Sequence, residues 1–163
     1  MRHALPASAV LALALSTAFA VDAADAPAPD PGIKAKLDAL HYTYELDEDG
    51  DYKLVFEYED KRSQLVYIRT PVDTYGQFRI REIWSPAYKA PSGEEFPAVV
   101  ANRLLADSNE NKLGGWVKQG PHAVYVVKLD ADASADQLKD ALDAAGIAAD
   151  EMEAALTPGK DDF

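Results

Sequence analysis

Hydrophobic positions along this chain follow two periods, and the switches between them set the expected elements. Ile33, Leu37 and Leu40 stand at helical spacing with Lys34, Lys36 and Asp38 between them, so a short helix is predicted over 33–40. From His41 to Leu46 the period is two, with Tyr42, Tyr44 and Leu46 on one face of a strand. Asp47-Glu48-Asp49-Gly50-Asp51 reads as a tight turn, because Gly accepts a positive φ without steric cost. The return strand runs over 52–58, with Leu54, Phe56 and Tyr58 on one face and Val55 on the other. After a polar turn at 59–63, the β-branched and aromatic run 64–70 predicts a third strand.

Pro71 to Gly76 reads as an interruption. A fourth strand is expected over 77–84, where Phe78, Ile80, Glu82 and Trp84 share one face and Arg79, Arg81 and Ile83 the other. Ser85 to Gly93 contains Pro86, Pro91 and Gly93 and is expected to be loop. Phe96, Val99, Val100, Arg103 and Leu104 recur at three and four, predicting the main helix over 94–107, with Ser92 as N-cap and Pro97 in the first turn. Residues 112–119 and 123–129 form a second hairpin around Gly120-Pro121, and Gly114 and Gly115 mark a bulge or a close backbone approach. Ser134 and Gln137 form a capping box opening a helix over 135–145, with Leu138, Ala141 and Leu142 inward and Gly146 as its C-terminal cap. A last amphipathic stretch covers 148–156. The order α-β-β-β-(β)-α-β-β-α predicts an α+β fold, an antiparallel sheet of five to six strands packed against helices.

The N-terminus stands apart from this pattern. Met1-Arg2-His3 is a basic start, residues 4–20 are apolar or small, and Ala18-Phe19-Ala20 has the small-x-small form read by signal peptidase. Residues 1–20 are therefore expected to be a Sec-type signal peptide cut after Ala20, with Ala24-Asp25-Ala26 as an alternative cut, which places the mature protein in the periplasm or outside the cell. The run is shorter than the about 20 apolar residues that a span needs, so no membrane insertion is expected after cleavage. Residues 21–32 are rich in Ala, Pro and Asp and read as a disordered linker, 33–157 as one domain, and 158–163 as an acidic tail.

Composition narrows the chemistry. The chain has no cysteine, which excludes thiol catalysis, cysteine-based metal sites and lipoprotein anchoring. With 16 basic against 28 acidic residues its net charge is −12, a surface that repels phosphate backbones and anionic lipid, so nucleic acid is not an expected partner. The acidic turn fails the calcium-loop pattern, because a loop opening at Asp47 puts Tyr52 and Tyr58 where Gly and Glu are needed. His41 and His122 lie far apart and outside any zinc spacing, and Ser85 and Ser92 lack a nucleophile elbow. No catalytic, metal-binding or cofactor-binding residue is expected, and no cofactor. Arg79 and Arg81 are expected to balance nearby carboxylates. The aromatics Trp84, Tyr88 and Trp116 are either core or an exposed platform for a protein partner.

Several segments, in order, resemble the YbjN-domain family, whose fold is similar to that of bacterial type III secretion chaperones. They are residues 44–52 (YELDEDGDY), 81–87 (REIWSPA), Leu104-Leu105 with Asn109, 112–116 (KLGGW), 149–153 (ADEME) and 161–163 (DDF), spread over 33–163. The resemblance implies an α+β fold and a non-catalytic, protein-interacting, chaperone-like or regulatory role. It also implies a homodimer through the helix over 94–107, which adds Val99, Val100 and Leu104 to Trp84, Tyr88 and Trp116 as candidate interaction residues. Two other readings stay open: a small periplasmic ligand or metal binder with a pocket among the strand tyrosines, and a hydrolase or isomerase using carboxylates or His41.

Overall fold

A computed structural model describes residues 28–58, 61–91, 93 and 95–163. The expected signal peptide, the first part of the linker, Ser92 and Glu94 lie outside the described residues. The described chain is α+β: α1 (Pro31–Ala39), β1 (Glu45–Leu46), β2 (Tyr52–Glu57), β3 (Ser63–Tyr75), β4 (Phe78–Lys89), α2 (Ala98–Glu110), β5 (Gly115–Gln119), β6 (His122–Asp130) and α3 (Ala135–Leu156). The six strands form one sheet in the order β1-β2-β3-β4-β6-β5, every neighbouring pair antiparallel.

Side chains alternate across a strand, so each strand offers the helices only one face. Tyr52, Leu54, Val66, Ile68, Ile83, Tyr125 and Val127 form that face and bury Ile33 and Leu37 of α1 and Leu138, Ala141, Leu142 and Ala145 of α3. A second cluster joins Val100 and Leu104 of α2 to Ala87, Tyr88, Ala123, Ala149 and Met152. All three helices therefore share one side of the sheet, and the fold has two layers. No helix among the described residues is long and apolar enough to cross a membrane.

Both long central strands outrun their predicted lengths. β3 continues through Pro71 to Tyr75, and β4 continues through Ser85 and Pro86 to Lys89, where loop was expected. Each proline sits at an irregularity of the ladder. The β3–β4 register shifts between Ile68 and Val72, and the β4–β6 register shifts between Pro86 and Tyr88. A strand tolerates a missing N–H at such a bulge. At the first bulge the guanidinium of Arg81, 1 % exposed, donates from Nη1 to the carbonyls of Arg69 and Thr70, both at 2.8 Å. Its Nη2 pairs with Asp30.

Asp30 corrects the expected linker boundary. It is the N-cap of α1, accepting from the Gly32 N–H at 2.7 Å, and Pro31 opens the helix. An Asp cap followed by Pro in the first turn is a helix-start signal that lies inside the Pro-rich stretch. At the other end of α1, His41 takes φ 60° and donates its N–H to Asp38, while Tyr42 donates to Leu37. This Schellman closure holds residues 41–44 out of the sheet, so β1 is only Glu45–Leu46 rather than 41–46.

The main helix starts at Ala98 and runs to Glu110, with Pro97 at its N-cap position and no side-chain cap. The expected pair of helices after Ser134 is a single α3 through Leu156, opened by the expected capping box. Gly146 is interior to it and not a cap. A Cβ there would lie 2.9 Å from the Tyr58 hydroxyl and 3.4 Å from Phe56 and Val66, so the glycine lets α3 seat on the sheet.

Candidate binding groove on the open face of the sheet

The face of the sheet away from the helices has no covering layer among the described residues. Alternation delivers Leu65, Tyr67 and Arg69 of β3, Glu82, Trp84 and Pro86 of β4, and Val124 and Val126 of β6 to this face. Tyr67 and Trp84 are directly opposed in the β3–β4 register. Leu65, Tyr67, Trp84, Pro86, Val124 and His122, together with Phe163, line an open groove of about 390 Å³.

Charged groups on this face are matched to the aromatics. The Arg69 guanidinium lies 4.7 Å from the Trp84 ring centroid, a cation–π arrangement. The indole N–H donates to Glu82 Oε2 at 2.7 Å, and Lys128 stands 3.3 Å from Glu82 Oε1. Trp84 is thus held at both ring and nitrogen while its apolar area stays half exposed. At the rim, burial with the nearby Lys89 pushes the His122 imidazole below its usual pKa.

Residues 160–163 run beside β3 and bring Phe163 to the groove. Beside Leu65 the sheet would place Pro86, which has no N–H to give. Leu65 uses its backbone groups otherwise: its carbonyl accepts from the Ser85 hydroxyl at 2.7 Å, and its N–H donates to the Phe163 carbonyl at 3.0 Å. Two residues earlier the Ser63 N–H reaches both carboxylate oxygens of Asp161 at 3.2 Å. Arg62 fastens this segment to α3: Nη1 donates to the Lys160 carbonyl at 2.7 Å, Nε to Asp150 at 2.7 Å and Nη2 to Glu153 at 2.9 Å. Glu153 also accepts from the Asp162 N–H at 2.7 Å. Burial pushes the Glu153 carboxyl up, against the lowering effect of that N–H and of Arg62. Asp150, Glu153 and Asp161 bring carboxylate oxygens close together, and the guanidinium of Arg62 pairs with all three.

The residues singled out in the sequence scatter over this frame. Trp84 lies in the groove. Tyr88 is 8 % exposed and packs edge-on against Phe96 at 5.8 Å. Val100 and Leu104 are core, so neither is free for the expected helix-mediated dimer. Trp116 stacks edge-on with Tyr125 at 5.2 Å and donates its N–H to Asp107 at 2.7 Å. It also lines a smaller apolar cleft of about 200 Å³ with Phe96, Leu104, Leu105 and Val117. Val99 is exposed on α2. His41 closes α1, and Arg79 and Arg81 pair with Asp132 and Asp30 as expected. Asp51, read as part of a solvated turn, is instead buried, accepting from the Thr70 N–H at 2.6 Å and pairing with Arg69.

Leu65, Tyr67, Pro86 and Val124 were not singled out beforehand as site residues. Their sequence signal is the set of alternating residues on the strand face opposite the core, continued through a proline. No protein-family model matches this chain, and no curated protein matches it.

Proposed function

We propose that this chain is an exported, non-enzymatic binding protein of the YbjN kind that engages another protein through the open face of its sheet. The observation that carries this reading is the half-buried apolar strip Leu65–Tyr67–Trp84–Pro86, floored by the buried Val124, on a sheet face that no helix covers among the described residues. A contiguous apolar patch rimmed by polar groups, with an aromatic anchor beside an arginine, is the composition of an interaction surface. The buried ionisable side chains Asp51, Arg81 and Glu153 are engaged in structural contacts, which supports a binding role over an acid–base one. The export signal read in residues 1–20 and the acidic net charge of −12 support an envelope location.

A photo-crosslinking residue at Tyr67, compared with one at the exposed Glu151 of α3, tests this in envelope extract. The reading requires a discrete adduct from position 67 that Trp84→Ala abolishes. Equal adducts from both positions, or none from position 67, refute it.

Self-association through α2 is the second reading, favoured by Val99 at 76 % and Leu105 at 67 % exposure, with Val117 nearby at 40 %. Because Val100 and Leu104 belong to the core, a dimer would use Val99 and Leu105. Light scattering on the purified chain decides it: a dimer mass that Val99→Asp with Leu105→Asp reduces to monomer supports this reading, and a monomer mass for the unaltered chain removes it.

A further inference from the structure

We infer that the slot left between β3 and β4 at Pro86 is an acceptor site for an extended acidic–aromatic segment, filled in cis by Asp161–Phe163 and in trans by a like segment of a partner protein. This rests on the reading of the open sheet face as the binding surface, and it names the chemistry of the partner.

The slot has receptors of three kinds, and the resident segment shows what each accepts. The N–H groups of Ser63 and Leu65 take Asp161 and Phe163, two residues apart on both chains, so the two segments run parallel. The Leu65 bond is main chain to main chain, as in a strand added to a sheet, whereas the Ser63 N–H is met by the Asp161 carboxylate, so main chain supplies one anchor and an acidic side chain the other. The Ser63 hydroxyl adds a third bond to Asp161 at 3.2 Å, and Arg62 lies 3.9 Å from the same carboxylate, giving the first position a preference for an acid. The third position delivers an aromatic ring into the groove, edge-on to His122 at 6.2 Å and lined by Leu65, Trp84 and Pro86.

The resident is held by polar bonds rather than by burial. Residues 158–162 are exposed and only Phe163 is half-buried. They leave α3 through a Pro158-Gly159 turn in which Gly159 takes φ 80°. A short segment with few buried contacts opens at low free-energy cost compared with a core element. The short tether gives the resident a high effective concentration, against which a partner segment competes.

The test uses the full chain. Asp161→Ala with Phe163→Ala empties the acid and aromatic positions without touching the core. A synthetic peptide of residues 159–163 is titrated into this variant and into the unaltered chain while the Ser63 and Leu65 amide resonances are followed by NMR. The expected result is saturable shifts at both amides in the variant, at least ten-fold weaker apparent affinity in the unaltered chain, and loss of binding when the peptide's phenylalanine is replaced by alanine. Absence of shifts in a variant whose spectrum is otherwise native overturns the proposal, as does equal affinity for both proteins. If that happens while the position-67 adduct still forms, the acceptor slot falls and the groove reading stands; if the peptide binds and no adduct forms, the reverse holds.

Discussion

The carboxylate of Asp30 meets the buried guanidinium of Arg81 across 51 residues of sequence. One side chain caps α1, and the other satisfies the two carbonyls released by the β3 bulge at Pro71. The pair therefore links the first helix to the irregularity that lets β3 run past a proline.

Removing the charge and removing the cap are separable. Asp30→Asn keeps a good N-cap but leaves Arg81 without its counter-charge. Because Asp30 is about one-third exposed and water can reach the pair, the expected loss is about 2 kcal/mol rather than the larger figure for a sealed ion pair. Asp30→Ala loses the cap as well and should cost about 1 kcal/mol more. Urea unfolding of both variants checks the difference; equal losses would mean that the cap contributes nothing.

Two left-handed positions predict opposite signs. His41 closes α1 at φ 60° with a Cβ that this conformation disfavours, so His41→Gly should stabilise by about 1 kcal/mol. Gly114 takes φ 88°, and a Cβ there would lie 2.6 Å from the Tyr125 ring and 2.8 Å from the Val126 carbonyl. Gly114→Ala should cost at least about 2 kcal/mol, because backbone cannot step aside as a side-chain tip can. Thermal unfolding of the two variants reads both signs.

Burial, reinforced by Asp150, Asp143 and Glu151, pushes the Tyr58 phenol up to about 12. The unfolded chain releases this proton near pH 10, so between about 10 and 12 the folded protein holds more protons and stability falls as pH rises. Tyr42, Tyr52 and Tyr125 are raised by burial as well and act in the same direction. Tyr58 is only half-buried, so its share is discounted to about 1 kcal/mol at the alkaline end. Tyr58→Phe should flatten that part of the decline in denaturant midpoint measured from pH 9 to 12.

His122 should titrate below its ordinary value, since burial disfavours its charged form and Lys89 adds to this. A base with a lowered folded pKa contributes stability that is present above its unfolded pKa of about 6.5 and lost as pH falls through the folded one. Phe163→Ala uncovers the ring and should move the His122 midpoint toward 6.5 in an NMR titration. An unchanged midpoint would show that the last residue does not shield it.

The groove was only partly legible in the chain. Trp84 stood out as an aromatic on an alternating strand, but its neighbours Leu65, Tyr67 and Val124 have the ordinary composition of strands. Nothing local says which face a helix layer will cover. The same gap left Tyr88 open between core and platform and offered Val100 and Leu104 as interaction residues, when all three belong to the core. Two periods of hydrophobicity and well-marked turns were enough for the helix and strand order and for the α+β class. The capping box of α3 and the hairpin at Gly120-Pro121 were equally local, because each depends on residues a few positions apart.

Tertiary structure decided what prolines, glycines and charges mean. Pro71 and Pro86 break a strand only if the strand opposite needs their N–H, and here bulges, Arg81 and Ser85 remove that need. Gly146 ends a helix only if nothing fills the space beside it, and Tyr58, Phe56 and Val66 do. Asp30 and the segment 161–163 read as linker and tail because their partners, Arg81, Ser63 and Leu65, lie far away in sequence. Periodicity records which residues are neighbours along one element. It carries no record of a hydrogen bond or a van der Waals contact made across two, and those contacts closed this fold.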